Sequence, residues 1–508
     1  MSLSKFARTI IIVAILAVPL VVAAPGAAQD NNVLIMAREV DAQGLDPHTQ
    51  TAISSLRLLD LVYDPLVRTD GDLNIIPALA ESWEFSEDGL QLTFHLRSGV
   101  KFHDGSEFNA EDVIASYERI LDEETASAAR TNLLSIESME APDDLTVVLN
   151  LSLPDVPLVA ALTVVNTAIL SSDIIADGDP TTDVVGTGPF VLDSWVPEEN
   201  TTLSANADYW GEGPFLDGIE IRIIPEEASI MAALRAGEID FALLNDPLIA
   251  TLLVDQPGII LNRSPDISYH VLQLRAAVEP LNILEVRQAI SCAIDRQEVV
   301  DVAAVGEGRV TGPLTMPSYQ IPLDELFCYE QDLDRARELM AEAGYEDGFS
   351  MTVIAAQAEP PTALSEAQVI QDQLSEINID VEIEALEFGT YVDRWLAADF
   401  TAAIALNGGR PDPYPMYSRY WQHEAQFSET AGYIDDTLDQ LMKDGQVETD
   451  PEARYEIFAE FQRHLAETSP WIWLYTGFNY TAQRDYVTDF TPTPTGYLYY
   501  LSETKLDR

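Results

Sequence analysis

Between Pro77 and Tyr117, apolar and polar residues alternate, are interrupted by one tight turn, and then give way to a helical stripe; no other stretch constrains the fold as much. Trp83 and Phe85 alternate with polar residues, and Asp88-Gly89 supplies the turn. Beyond it, Leu90, Leu92, Phe94 and Leu96 alternate with Gln91, Thr93, His95 and Arg97. The pattern predicts a β-hairpin with one buried face. After a second turn at His103-Asp104-Gly105, Asn109 is placed to cap a helix. Glu111 and Asp112 fall in its first turn, where the helix dipole favours acids, and Val113, Ile114, Tyr117, Ile120 and Leu121 form its apolar face. Strand-like alternation recurs at Leu145–Leu153 and Ile219–Ile223. Helical stripes recur at Val286–Ile294 and at Leu333–Ala343, the latter capped by Asp332 and ended by Gly344. Interleaved strand and helix patterns define an α/β chain. The Pro/Gly-rich stretches near Gly306–Pro322 and Gly408–Pro415 read as loops.

The chain has 508 residues, 47% of them hydrophobic, enough for two or three domains around sizeable cores. Its formal net charge of −58 excludes nucleic acid as a partner, because nothing could neutralise a phosphate backbone, and argues against anionic membrane surfaces. The acidity reads as a solvated surface that maintains solubility, or as adaptation to high salt. Residues 1–28 read as a secretory signal peptide, with Lys5 and Arg8 before the apolar Ile10–Ala24 and small residues at Gly26 and Ala28; an uncleaved anchor is the alternative. The first cysteine is Cys292, so no lipobox cysteine is present. Cys292 and Cys328 are the only two; in an oxidising compartment they are a disulfide candidate, against a reading of Cys292 as an ordinary buried helix residue.

Catalytic motifs are missing. There is no G-x-S-x-G, no H-E-x-x-H, no Cys/His zinc spacing and no P-loop lysine. The six histidines, His48, His95, His103, His270, His423 and His464, are scattered without ligand spacing. His48 and His95 read as ordinary surface groups, while His270 and His423 are candidate ligand contacts. The reading carries no enzyme activity, no cofactor and no metal.

Five segments, taken in order, carry a resemblance. The Pro77–Tyr117 stretch is joined by Gly186-Thr-Gly-Pro-Phe190 with Asn206-Ala-Asp-Tyr-Trp210, and by Ala233-Leu-Arg-Ala-Gly-Glu-Ile-Asp240. Val286-Arg-Gln-Ala-Ile-Ser-Cys-Ala-Ile-Asp-Arg296 and Ala336–Phe349 complete the set. Together they resemble the extracytoplasmic solute-binding proteins of family 5, the dipeptide/oligopeptide receptors of ABC importers. The resemblance implies two α/β lobes joined by a hinge, in a periplasmic-binding-protein fold with an extra domain inserted in the first lobe. Carried over, the first lobe comprises 30–66, 180–270 and 471–508, the inserted domain 67–179 and the second lobe 271–470. It also implies an exported, monomeric, periplasmic or extracellular protein that passes its ligand to a membrane permease with its ATPase.

Peptide-binding relatives hold the ligand's α-ammonium on an aspartate in a W-x-x-D-Y-x-x-P context. Here that place falls on Gly409, counting back from Pro413, or on Arg410, counting forward from Phe400. The tryptophan's place falls on Asn407, and Asp412 is displaced from the aspartate's place. Asp412 could swing into the cleft as a substitute, or Arg410 or Arg394 could turn the pocket toward an anionic group. The resemblance places Thr51, Ala52 and Ile53 against the backbone of an extended ligand. If the ligand is an oligosaccharide instead, candidate stacking rings are Tyr269, Trp395, Tyr417, Tyr420, Trp421, Trp471 and Trp473, with His270 nearby. A ligand-presenting partner of a membrane sensor and an exported hydrolase complete the alternatives.

Overall fold

A computed structural model describes residues 32–508 apart from Ala358, Glu359 and Glu424. The proposed signal peptide lies outside the described residues. The hairpin forms as the alternation predicts: strands Ala80–Phe85 and Gln91–Leu96 pair antiparallel, with Gly89 at φ +70° in the turn. Leu92, Phe94 and Leu96 are buried, whereas Leu90 sits in the turn itself and is exposed. Asn109 closes a capping box: its side chain accepts from the Glu111 N–H while Asp112 accepts from the Asn109 N–H. The helix Ala110–Leu121 then packs Val113, Tyr117 and Ile120 against the sheet ordered 80–85, 91–96, 146–151, 136–143.

Two larger sheets carry the rest. A seven-stranded sheet runs Ile259–Pro265, Phe478–Arg484, Phe241–Leu244, Val33–Arg38, Gly218–Ile223, Asn200–Ala205, Phe190–Val196. A six-stranded sheet runs Arg309–Val310, Trp471–Thr476, Tyr269–Leu274, Ala402–Asn407, Phe349–Ala356, Ile379–Leu386. The chain crosses between them twice, at Asp266–Ser268 and at Gly477, and the crossings lie side by side. The Asp266 N–H donates to the Gly477 carbonyl at 3.0 Å, and the Thr476 hydroxyl donates to the carbonyls of Asp266 and Ser268. Trp471–Thr476 lies in the six-stranded sheet, where it pairs with Tyr269–Leu274. A second contact joins the inserted domain to the second lobe: the Val156 N–H donates to the Gln446 carbonyl at 3.1 Å.

The GTGPF segment is a tight packing turn. A Cβ on Gly186 would meet the Val62 carbonyl at 2.0 Å, and the Gly188 N–H donates to that carbonyl. In the second lobe, helices Leu284–Ala293 and Leu333–Glu342 form as predicted, the second capped by Asp332, with Gly344 past its end at φ +79°. Cys292 and Cys328 are bonded, their Cα atoms 4.8 Å apart. Gly408–Pro415 is only partly a loop, because Pro413 starts a helix, Pro413–Trp421, in the position where its missing N–H costs nothing. His48 is fully buried, not a surface group. Its Nε2 lies 2.9 Å from the Ala168 carbonyl and its Nδ1 2.8 Å from Arg119, which also pairs with Asp46. Burial pushes its pKa down to about 4. Among the described residues no helix is long and apolar enough to cross a membrane, and no cluster of three or more metal-ligating side chains forms.

Candidate functional site

The loop between strand Ala402–Asn407 and helix Pro413–Trp421 lies beside the first crossing. Gly409 is there because nothing larger fits: a Cβ would stand 2.0 Å from the Ile267 carbonyl. That carbonyl is itself bound by the Thr315 hydroxyl at 2.6 Å. An aspartate at position 409 is sterically excluded. Asn407 is nearly buried and pairs across the sheet with Tyr269; its Nδ2 and the Tyr269 hydroxyl have no hydrogen-bond partner among the described residues. Arg410 is exposed, and its Nη1 donates to its neighbour's carbonyl, Gly409 O, at 3.0 Å. Arg419 stacks over Tyr420 at 4.8 Å and donates to the Gly408 carbonyl at 2.9 Å. Among the described residues neither arginine has a carboxylate within ion-pair distance. The Arg410 pKa is lowered, first by burial among surrounding atoms and then by the Arg419 charge. Tyr497 of the C-terminal segment, Tyr420 and Tyr269 offset this.

In the first lobe, helix Ile53–Leu59 follows directly on the Thr51–Ala52 segment. Thr51 and Ile53 are exposed and Ala52 is the N-cap residue, so the segment expected to run beside a ligand is open to solvent. Arg57 follows Ile53 at i+4, on the same helix face. Its Nε donates to the Gly496 carbonyl at 2.9 Å and its Nη2 to Asn479 Oδ1 at 3.4 Å. Burial lowers the Arg57 pKa, while Asp266 and Tyr497 oppose that and Arg38 reinforces it. Burial and then the Asp60 charge raise the Tyr497 pKa, and Arg410 and Arg57 oppose the rise. Asp266, in the first crossing, accepts from the Ser268 N–H at 3.0 Å; burial raises its pKa despite Arg57 and His270 nearby. Arg57, Asp266, Arg410 and Tyr497 all keep contact with solvent.

Other sequence candidates fall elsewhere. Asp412 does not swing into the cleft. It caps helix Pro413–Trp421 through the Tyr414 N–H and forms a two-point ion pair with Arg454 at 2.7 and 2.8 Å, nearly all buried. Arg394 is committed to Glu384 at 2.8 Å and to Asp399 at 3.3 Å. Tyr269, Tyr417, Tyr420, Trp421, Trp471 and Trp473 are sealed in one aromatic core with Phe458 and Phe461, so no face of theirs is open for stacking on a sugar. Burial decided this: the rings satisfy one another, as where Trp473 Nε1 donates to the Tyr417 hydroxyl at 2.8 Å. Trp395 is half-buried and donates to Gln273 Oε1 at 2.6 Å.

His270 stacks on Tyr475 at 4.1 Å with its Nδ1 2.9 Å from Glu366 Oε1, although the contact is poorly aligned as a hydrogen bond. Burial works to raise the Glu366 pKa, but His270, Thr362 and Tyr475 outweigh it and hold the carboxyl below its usual range. His270 is thus engaged within the second lobe. His423 is exposed, paired with Asp436 at 2.9 Å.

Sequence reasoning missed Arg57, Asp266 and Tyr497. Only the i+4 spacing of Arg57 from Ile53 could have pointed to one of them; the others are brought in by the crossing and the C-terminal segment.

Two α/β lobes joined by paired crossings define a two-lobed binding-protein fold. The chain belongs to the bacterial extracellular solute-binding proteins, family 5, whose model matches residues 74–428. It is 29% identical over 525 residues to "Di/tripeptide-binding protein 1" of Pseudomonas aeruginosa (strain UCBPP-PA14), covering 96% of this chain and 97% of that protein. Among solved structures it is similar to the ABC transporter-associated periplasmic binding protein DppA from Helicobacter pylori in complex with peptide STSA. There the identity is 29% and the TM-score 0.78, covering 94% and 98% of the two chains. It is also similar to the periplasmic binding protein AgaA from A. tumefaciens R10 in complex with agropinic acid, with 28% identity, a TM-score of 0.78, and 94% and 99% covered. The family and these relatives are solute-binding proteins rather than enzymes.

Proposed function

We propose that this protein is the exported receptor of an ABC importer, taking a short peptide into the cleft between its lobes and presenting it to a membrane permease. The observation that carries the reading is the makeup of the cleft floor. Arg57, Arg410 and Asp266 keep contact with solvent there and the buried amide of Asn407 has no partner among the described residues, while the aromatic rings that would stack on sugars are sealed away. Such a floor suits a charged, amide-rich ligand better than an oligosaccharide. The peptide-binding relatives support the same choice. In this reading the crossings at Asp266–Ser268 and Gly477 act as the hinge, and residues 67–179 are an inserted domain that touches the second lobe at Gln446. Ligand contacts to both lobes stabilise the closed form that the permease recognises. Residues 1–28 direct export.

A thermal-shift screen against di- to hexapeptides, gluco- and xylo-oligosaccharides and Ni²⁺ tests the reading. A ligand present at about 100 times its Kd adds about 2.7 kcal/mol to a folded state that alone binds it. Stabilisation by peptides is the expected result. Stabilisation by oligosaccharides alone, or hydrolysis of the bound peptide, would overturn it.

A further inference from the structure

We infer that the inserted domain latches onto the second lobe through Leu73, the Asp155–Val156 corner and helix Pro157–Ala161, and that this latch holds the cleft closed before any ligand arrives. The inference rests on the receptor reading and adds a conformational device to it.

The inserted domain is tied to the first lobe. Arg119 pairs with Asp46 at 2.6 Å, and the Asn166 amide donates to the carbonyls of Pro47 and Gln50 at 2.8 Å each. The Ala128 N–H donates to the His48 carbonyl at 3.0 Å, and the Tyr499 hydroxyl to the Thr69 carbonyl at 2.9 Å. Val165, Ala168 and Leu170 lie in the first lobe's own core. A rotation of the lobes about their crossings therefore carries the inserted domain with the first lobe. Its contacts with the second lobe must break on opening.

Those contacts are of three kinds. The turn between strands Val67–Thr69 and Ile75–Pro77 presents Leu73, which packs against the aromatic core of the second lobe. Leu73 stands at φ +65°, a left-handed backbone that a bulky side chain seldom adopts. Asp70 shapes the turn, accepting from the N–H groups of Asp72 at 2.9 Å and Asn74 at 2.8 Å. Such strain persists where the surroundings over-determine it, and here the apolar contact across the cleft offsets it. At the second point, the Val156 N–H donates to the Gln446 carbonyl at 3.1 Å, and the Gln446 amide donates back to Asp155 at 3.4 Å. Asp155 is 6% exposed, and its other oxygen accepts from the Ser135 hydroxyl at 2.6 Å. Third, helix Pro157–Ala161 lies against helix Pro413–Trp421 of the second lobe, while Leu158 and Val159 pack into its own domain's core.

A different interlobe contact shows what the latch adds. Arg263 grips Glu307 at 2.7 and 3.0 Å. Arg263 closely precedes Asp266, and Glu307 closely precedes Arg309, which pairs with Thr476, so this ion pair sits beside the crossings and shifts little as the lobes turn. Leu73, Asp155, Val156 and Gln446 belong to neither crossing, and none of them is a candidate ligand contact. The closed form is thus favoured by groups that need no ligand, and a ligand selecting that form binds with less of its affinity spent on closure.

The test is small-angle X-ray scattering of the purified exported protein without ligand, joined to calorimetric titration with Ala-Ala-Ala, for the parent, Leu73→Gly and Gln446→Glu. Glycine accepts the left-handed backbone freely, so Leu73→Gly removes the apolar contact without straining the turn, and its melting temperature should not fall. Gln446→Glu sets a second carboxylate against Asp155. The latch predicts that the unliganded parent scatters as the closed form and that each variant has a larger radius of gyration until Ala-Ala-Ala is added. Both variants should bind Ala-Ala-Ala about ten-fold more weakly, as when the closed fraction falls from about nine-tenths to about one-tenth. An unliganded parent that scatters as an open form overturns the latch, as does unchanged scattering in a folded Leu73→Gly. Opening by Leu73→Gly in a protein that binds no Ala-Ala-Ala supports the latch and counts against the peptide reading. If Leu73→Gly melts well below the parent, Gln446→Glu decides, and unchanged scattering there overturns the latch.

Discussion

Asp412 and Arg410 are two residues apart, and their surroundings have opposite characters. Asp412 is buried, caps a helix and is gripped at two points by Arg454. Arg410 is exposed and bonded only to its own neighbour. The same contrast divides the polar groups of the whole molecule. His48 and Glu366 are buried and engaged within one lobe, whereas Arg57, Asp266 and Arg410 keep contact with solvent and have bonding capacity to spare. Engaged groups contribute stability; spare ones are free to contribute recognition.

Substitutions can break or sharpen that division. The largest effect is expected at Asp412→Asn, which leaves Arg454 buried with half a partner. Denaturant unfolding should show a loss of about 3–5 kcal/mol, while the folded fraction binds ligand as before. Loss of binding without loss of stability would move Asp412 into the cleft. Next comes the crosslink that closes a 36-residue separation: replacing Cys292 and Cys328 by serine should cost about 4 kcal/mol, with no change in ligand affinity.

His48 comes third. Its folded pKa of about 4 lies below the unfolded value of 6.5, so above 6.5 both states are neutral and stability is complete. As pH falls from 6.5 toward 4, the unfolded state takes up a proton that the folded state refuses. Stability then declines by roughly 3 kcal/mol in all. His48→Gln, which keeps a donor and an acceptor, should flatten that segment of the pH–stability curve; an unchanged slope would show that the ring is protonated when buried. The smallest stability effect belongs to Arg410→Gln, expected within about 0.5 kcal/mol of the parent in denaturant unfolding because nothing buried depends on it. A larger loss would put Arg410 among the engaged groups and erase the contrast with Asp412.

Much of the fold is legible in local pattern. The hairpin around Asp88-Gly89, the Asn109 capping box and the helix from Asp332 to Gly344 form as read, because turn geometry, caps and periodicity are decided by residues close in sequence. The candidate site was only half legible. Thr51, Ile53 and Arg410 are exposed and Gly409 is packed on Ile267, but the aromatic candidates and His270 are core or core-edge groups. Sequence pattern cannot tell a ring packed on other rings from a ring open to ligand, since both need the same apolar flanks.

By itself, then, the sequence determined the order of strands and helices, the family, and the absence of an acid at 409 and 410. Only the tertiary structure decided why 409 cannot carry one: the Ile267 carbonyl, more than a hundred residues earlier in the chain, occupies the space its side chain would need. Tertiary structure also decided which charges are spoken for. Arg454 reaches Asp412 from a distant helix, while Arg410, two residues away, is left without a carboxylate among the described residues. Ion pairing and burial depend on distances through space, which the sequence encodes only through the completed fold.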